Sequence, residues 1–362
     1  MKRITCFISS LAAGGAEHQM VNLANLLSER GYDVTMVTSL DEPDCYALSP
    51  AVHRIMLKPR KGLLGAGWES LRFFIGHKAD CIISFRERMN LVVLLSSYFR
   101  KKVKTIAGER NFTVGSPTME GKLNLSLLYN RADYIVANSY SQARFLQGLN
   151  KPWRDKVRTI INYTDLDEYQ PSPEPENDDV LMIGVFARFS PQKNCTRFIQ
   201  MVSSLKKKKV RRFKVVWFGH RFGAVNEQFY NTFQENLRLY DVGDIIEVHD
   251  PVTNVNEWMT HFHALCLPSL FEGFSNSISE GICAGKPMLV SNVSDNCLMV
   301  KDSFNGFTFD PLSIEDMLAA FLRFFSLNKA EREDMGRNSR MLAEQLFDKE
   351  RFVGDYIKLI EG

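Results

Sequence analysis

Two glutamates stand eight positions apart in FEGFSNSISEGICAGKP, residues 271–287, with glycine, serine and asparagine between them. A carboxylate accepts hydrogen bonds in pairs, which suits the hydroxyls of a sugar or a ribose. Glu272 falls in the loop that leaves the strand-like run ALCLPSL, and Glu280 falls in the first turns of the helix that follows. Ser275 or Asn276 can cap that helix. The backbone N–H groups of Gly273, Phe274, Ser275 and Asn276 then stand at a helix start, where a phosphate or a sugar can sit. A Glu280 that only offsets the helix dipole, beside a solvated Glu272, explains less of the pattern.

Two further loops offer groups of complementary charge. In FARFSPQKN, Arg188 ends an apolar strand-like run and Lys193 follows five residues later, next to Asn194 and before a helix. A guanidinium and an ammonium at one strand end suit a diphosphate, although two solvated surface cations are common. In AAGGAEH, Gly14 and Gly15 precede a helix beginning near Ala16. Adjacent glycines let the backbone approach a ligand, and the helix N-terminus favours an anion; a glycine pair can equally serve only the turn. The loop does not match GxGxxG, which argues against a dinucleotide fold of the dehydrogenase type.

These loops need strands and helices to position them, and the chain supplies both in alternation. ITCFISS leads to the helix AEHQMVNLANLLSER, ended by Gly31, and then to DVTMVTSL. ADCIISF, a helix through MNLVVLLSSYF, KVKTIAGE, a helix near KLNLSLLYNRA, DYIVANS and VRTIINY follow. The segment TDLDEYQPSPEPENDD breaks the rhythm with Pro171, Pro173 and Pro175, a semi-rigid linker composition. Alternation then resumes with VLMIGVFARFS, FKVVWFGH, IIEVHD, ALCLPSL, KPMLVSN and GFTFD. Such alternation means βαβ units and a parallel sheet. The reading is α/β: two Rossmann-like, doubly wound domains at residues 1–163 and 180–340, a linker at 164–179, and a closing helix at 341–362 that would pack back on the first domain. Open parallel sheets bind ligands at the carboxyl ends of their strands, so a cleft faced by both domains is the expected site.

Composition narrows the class further. A chain of 362 residues with 45% hydrophobic and 24% charged residues is ordinary for soluble globular proteins. A net charge of +3 is too mild to argue for nucleic acid. The seven cysteines are scattered and never spaced CxxC, so neither a disulfide framework nor a zinc site is expected, and a reducing cytoplasm is the natural compartment. MKRITCFISSLAAGG reads as a first strand rather than a signal peptide, because Thr5, Ser9 and Ser10 break its apolar run. The apolar run at Leu91–Leu95 is too short to span a bilayer, so no anchor is expected.

FEGFSNSISEGICAGKPMLVSN resembles the E-x7-E signature of the retaining glycosyltransferases of family 4, which have the GT-B fold. GVFARFSPQKN resembles that family's arginine–lysine loop, AAGGAE its glycine-rich N-terminal loop, and INYTDLDEYQP its segment just before the interdomain linker. The similar elements occur in the family order over almost the whole chain. The resemblance implies a hexosyltransferase that moves a sugar from a nucleotide donor with retention at the anomeric carbon, without a bound metal or cofactor. Carried over, Arg188 and Lys193 would hold the donor diphosphate, Glu280 the ribose and Glu272 the donor sugar. The amides of Gly273, Phe274, Ser275 and Asn276 would sit by the sugar and phosphates with Gly15 opposite, and the loop from Asp250 to Val252 would edge the base. Many members carry a histidine where this chain has GERN, and Arg110 would take its place near the donor sugar. A family glutamate also has its nearest match at Leu298. UDP is the expected donor base on family frequency.

Other signals rank lower. Asp165-Leu166-Asp167 is formally a DxD metal motif, discounted because it lies beside the hinge in a segment the resemblance explains. The run KKKKVRRFK, residues 206–214, reads as a helix end with solvated cations, so no nucleic-acid partner is expected. RKGLLGAGWESLRFFIGHK, residues 60–78, mixes cations with Trp68, Leu71, Phe73 and Phe74. It is either a connector helix packed on the sheet or a segment lying on an anionic membrane. The second case would make the enzyme peripheral on the cytoplasmic face of the inner membrane. The acceptor would then be a lipid-linked saccharide of a bacterial surface polysaccharide, O-antigen or capsule among them. The alternatives are a GT-B nucleotide-sugar epimerase and a non-catalytic sugar-binding protein.

Overall fold

The computed structural model describes residues 1–12, 14–58, 63–100, 102–110, 128–176, 179–209, 212–219 and 224–362. They fall into two compact units, Met1–Tyr163 with Lys349–Gly362, and Thr164–Asp348. The first unit holds β1 (Arg3–Ile8), β2 (Asp33–Thr38), β3 (His53–Met56), β4 (Cys81–Phe85), β5 (Lys104–Glu109), β6 (Tyr134–Ala137) and β7 (Val157–Thr159). They form one parallel sheet in the order β3-β2-β1-β4-β5-β6-β7. β4 is buried at every position, as a central strand covered on both faces must be.

Helices α1 (Gly15–Glu29), α2 (Leu63–Gly76), α3 (Glu87–Ser96) and α4 (Tyr140–Leu149) belong to this unit. α1 buries Met20, Leu23, Ala24 and Leu27 on one stripe of 3.6-residue period. It stops where Gly31 takes φ +81°, a conformation that costs glycine nothing. The edge strand β3 has no counterpart in the sequence reading, because three of the four residues of His-Arg-Ile-Met are exposed and no apolar alternation marks it. The helix expected near residues 122–132 lies mostly outside the described residues.

The second unit holds β8 (Leu181–Phe186), β9 (Phe213–Phe218), β10 (Ile246–His249), β11 (Ala264–Leu267), β12 (Met288–Ser291) and β13 (Gly306–Phe309), all parallel, in the order β10-β9-β8-β11-β12-β13. Its helices are α5 (Cys195–Lys208), α6 (Ala224–Leu239), α7 (Val255–Met259), α8 (Asn276–Cys283), α9 (Asn296–Met299), α10 (Ile314–Phe325) and α11 (Lys329–Leu346). Trp217 on β9 is fully buried against Phe189, Phe198 and Phe233. Its indole N–H is satisfied by the Ala187 carbonyl at 2.7 Å.

Two boundaries differ from the expectation. Residue 341 does not begin a closing element, since α11 runs unbroken to Leu346; the chain changes unit at Lys349, the start of the last helix, α12 (Lys349–Glu361). The apolar face of α12 joins the first unit's core, with Phe352 stacked on Tyr163 at 5.5 Å. The proline-rich segment is likewise no loose hinge along its described length, but a strap on the second unit. Buried Arg332 donates to Glu174, Lys286 Nζ donates to Ser172 Oγ at 3.0 Å, and Arg340 reaches the carbonyls of Leu166 and Tyr169 at 3.1 and 2.9 Å. Prolines mark the segment locally, whereas the cations that hold it lie more than 100 residues away.

Candidate active site

In each sheet the strand order reverses beside its first strand, at β1/β4 in the first unit and at β8/β11 in the second. The loops leaving those strands diverge there, which opens a crevice at the carboxyl edge.

In the second unit, the β8 loop carries Arg188 and Lys193 and the β11 loop carries Glu272. Direct bonds stitch the two loops together: Gln192 Nε2 donates to the Phe271 carbonyl and the Leu270 N–H to the Gln192 carbonyl, both at 2.8 Å. Lys193 Nζ then meets Glu272 Oε1 at 2.6 Å, with the two side chains only 13% and 9% exposed. Lys193 is therefore not a solvated surface cation. Arg188 is exposed, held lightly by Gln192 at 3.2 Å. The β8 loop makes its turn through Asn194 in the left-handed region, φ 56°, whose amide is anchored on the Pro311 carbonyl at 2.8 Å.

Ser275 is the N-cap of α8, accepting from the Ile278 N–H, and Ser277 ties the helix to the Phe186 carbonyl at 2.8 Å. Phe274 turns inward, 4% exposed against Phe347, so only its backbone is available at the edge. Glu280 lies beyond this first turn, half-buried, with no hydrogen-bond or ionic partner among the described residues. Burial pushes its carboxyl up to about 8, and the Glu168 carboxylate adds to the rise. Leu298 is 37% exposed, and Asp250 stands on the surface. Asp165 accepts the Asp167 N–H at 2.9 Å, a local turn. Among the described residues no three His, Cys, Asp or Glu side chains gather as a metal site.

The first unit's edge is arranged differently. Gly15 is exposed as the first residue of α1, but Glu17 folds back over the loop. A Cβ at Gly14 would lie 2.2 Å from Glu17 Oε2. The carboxylate is buried and meets Arg86 at 2.9 Å, where Arg86 holds φ 75° and ψ 144° in the β4–α3 turn, a strained backbone for a residue with a side chain. Burial raises the Glu17 pKa while Arg86 lowers it. The anion at this helix N-terminus is the chain's own.

Arg110 does not reach into the edge. It is buried, donates to Asn162 Oδ1 at 2.9 Å and Tyr356 Oη at 2.6 Å, and covers the Phe85 ring at 3.6 Å. The expectation that its guanidinium replaces a histidine at the donor sugar meets a side chain already committed to tying α12 to the sheet. Its neighbour Glu109, part of the same GERN departure but given no role in the sequence reading, closes β5 at the carboxyl edge. Glu17, Arg86, Gln192 and Glu168 were also missed; only Glu17, one turn into a helix behind two glycines, carried a local sign.

Two family models match the chain nearly end to end: Glycosyltransferase Family 4 over residues 13–168, and Glycosyl transferases group 1 over residues 167–341. The chain belongs to the family 4 glycosyltransferases. EpsF of Bacillus subtilis is 26% identical, over 46% of this chain and 44% of that protein. The N-acetylgalactosamine-N,N'-diacetylbacillosaminyl-diphospho-undecaprenol 4-alpha-N-acetylgalactosaminyltransferase of Campylobacter jejuni is 23% identical over 100% of both chains. Anabaena HepE, solved in complex with UDP and glucose, superimposes with a TM-score of 0.84 at 16% identity, covering 100% of each chain. The GT-B fold and transferase class follow, and the non-catalytic sugar receptor is set aside.

Proposed function

We propose that this family 4 enzyme transfers a sugar, with retention, from a UDP-sugar to a lipid-linked saccharide in the synthesis of a bacterial surface polysaccharide. The observation that carries the donor half is the Lys193–Glu272 pair at the second unit's switch point, with exposed Arg188 beside it and half-buried Glu280 unpartnered on α8. A diphosphate entering there competes with Glu272 for Lys193, which frees the carboxylate for sugar hydroxyls. Arg188, Lys193 and the α8 amides then face the charge that grows on the departing diphosphate, so they stabilise the transition state more than the ground state. Glu280 accepts hydrogen bonds from the ribose hydroxyls, which favour its charged form. Glu272, bonded to an ammonium, is poorly set as a nucleophile. Departure of the diphosphate and arrival of the acceptor oxygen on one face preserve the anomeric configuration. The HepE complexes support UDP, and the Campylobacter relative's diphospho-undecaprenol substrate supports a lipid-linked acceptor.

A membrane-facing surface fits such an acceptor. α2 turns Phe74 into the core against Phe7 at 4.7 Å, yet leaves Trp68 62% exposed; Tyr98 and Phe99, after α3, are 58% and 69% exposed. Arg72, Lys78 and Lys102 are exposed in the same region, and Arg60 and Lys61 lie outside the described residues. Aromatic rings among cations suit an anionic lipid interface on the cytoplasmic face. No helix among the described residues is long and apolar enough to cross a membrane.

Calorimetry with UDP, GDP and ADP, without added metal, on the wild type and Glu280→Ala tests the donor assignment. Binding of UDP alone, lost in the variant, is expected; binding of none of the three refutes it. Proton NMR of the product, reading the anomeric coupling, tests retention.

A further inference from the structure

Glu109 closes β5 at the first unit's carboxyl edge, one strand from the β1/β4 switch point. One of its carboxylate oxygens is held from two elements. Oε1 accepts from the Tyr129 hydroxyl and from Asn90 Nδ2 at 3.0 Å. Asn90 is itself fully buried and locked: it receives the Ser84 hydroxyl at 2.7 Å and donates to the Gly108 carbonyl at 3.1 Å. Two residues from two segments, Asn90 and Tyr129, thus fix this carboxylate's orientation, while its other oxygen has no partner among the described residues. No cation pairs with it there either, because Arg110 turns away to Asn162 and Tyr356. A carboxylate so oriented, half-buried and left one oxygen short is built to receive a hydrogen bond rather than to close a salt bridge.

Resting on the transferase reading above, we propose that Glu109 is a binding residue for the acceptor saccharide, its second carboxylate oxygen accepting a hydrogen bond from an acceptor hydroxyl. Asn90 and Tyr129 are positioning residues that present that oxygen. The charged form is the better acceptor, and its titration falls in the working range. Burial and the Glu87 carboxylate raise the Glu109 carboxyl to about 7, against the lowering by Tyr129, Asn90 and Arg110. Acceptor affinity should then weaken as pH falls through about 7.

The test uses the full-length enzyme, UDP-sugars and short-chain lipid diphosphates carrying N-acetylglucosamine or N-acetylgalactosamine as acceptors, with released UDP as the signal. Glu109→Gln should raise the acceptor KM roughly tenfold, leave the Kd for UDP unchanged, and abolish the inflection of acceptor KM near pH 7. Tyr129→Phe retains the carboxylate but removes a hydrogen bond that lowers its pKa, so it should move the inflection to higher pH. A wild-type acceptor KM and pH profile in Glu109→Gln overturns the proposal, as does a weakened Kd for UDP, which would put the residue on the donor. If Glu109→Gln does not fold, an unmoved inflection in Tyr129→Phe overturns it instead. Wild-type enzyme that binds UDP but transfers to neither acceptor refutes the lipid-linked acceptor and this assignment with it.

Discussion

The carboxyl edges of the two sheets share a topology and differ in what stands on them. At the second unit's edge the chain places two cations in the β8 loop, and pairs only Lys193, with Glu272 at 2.6 Å. At the first unit's edge the glycine loop and the start of α1, which look like an anion site, are covered by the chain's own Glu17, backed by Arg86. A helix N-terminus attracts whichever negative charge is nearest, and an internal carboxylate needs no binding entropy to arrive. A glycine pair before a helix is therefore a weak sign of a ligand unless the surrounding cations are left short of partners.

The sharpest way to break this contrast is Lys193→Ala. If that ammonium stabilises the leaving diphosphate, the transfer rate falls about 100- to 1,000-fold, the scale seen for removal of one preorganised transition-state partner; a UDP-release assay reads it, and an unchanged rate would leave the second edge no more functional than the first. Glu17→Ala is expected to act on stability instead. Truncating this buried side chain removes its packing over the loop and leaves Arg86, 44% exposed, without its carboxylate, at a cost of about 1–2 kcal/mol, a few degrees in Tm, with the Kd for UDP unmoved. A weakened Kd would place the donor against the glycine loop after all.

Glu280→Gln should show the opposite sign. A carboxyl raised from its usual value to about 8 binds its proton more tightly folded than unfolded, so the native protein loses stability as pH rises from about 4.5 to 8. The amide variant removes that loss. By urea titration at pH 8.5 it should be more stable than the wild type by about 1 kcal/mol, while binding UDP less well. The smallest effect is expected of Gly14→Ala, at about 1 kcal/mol or less, because its new methyl meets only the movable end of Glu17. The Gly14→Ala and Glu17→Ala penalties should then fall short of additive in the double variant, since both act on one contact.

Much of this was legible beforehand. The strand and helix order apart from β3, and a capping hydroxyl for α8, rest on local patterns: apolar periodicity and turn chemistry; the Lys193–Glu272 pair, 79 residues apart, does not. The strap and Arg110 were not legible either. Pro171, Pro173 and Pro175 read as a hinge because stiffness is a property of the segment itself, whereas the buried Arg332 that grips Glu174 becomes its neighbour only after folding. Arg110 read as a site cation for the same reason, since its partner Tyr356 is 246 residues away.

By itself, then, the sequence determined two parallel α/β sheets, the family, and the loops in which chemistry could reside. Periodicity and turn chemistry act over a few residues and need no tertiary partner to be read. Only the tertiary structure decided which charged groups keep a vacancy. Glu17 and Arg110 are absorbed by partners supplied from other segments, while Arg188, Glu280 and one oxygen of Glu109 stand without an ionic partner among the described residues. Pairing and desolvation depend on distances across the folded sheet, and those distances are not written in the order of residues along the chain.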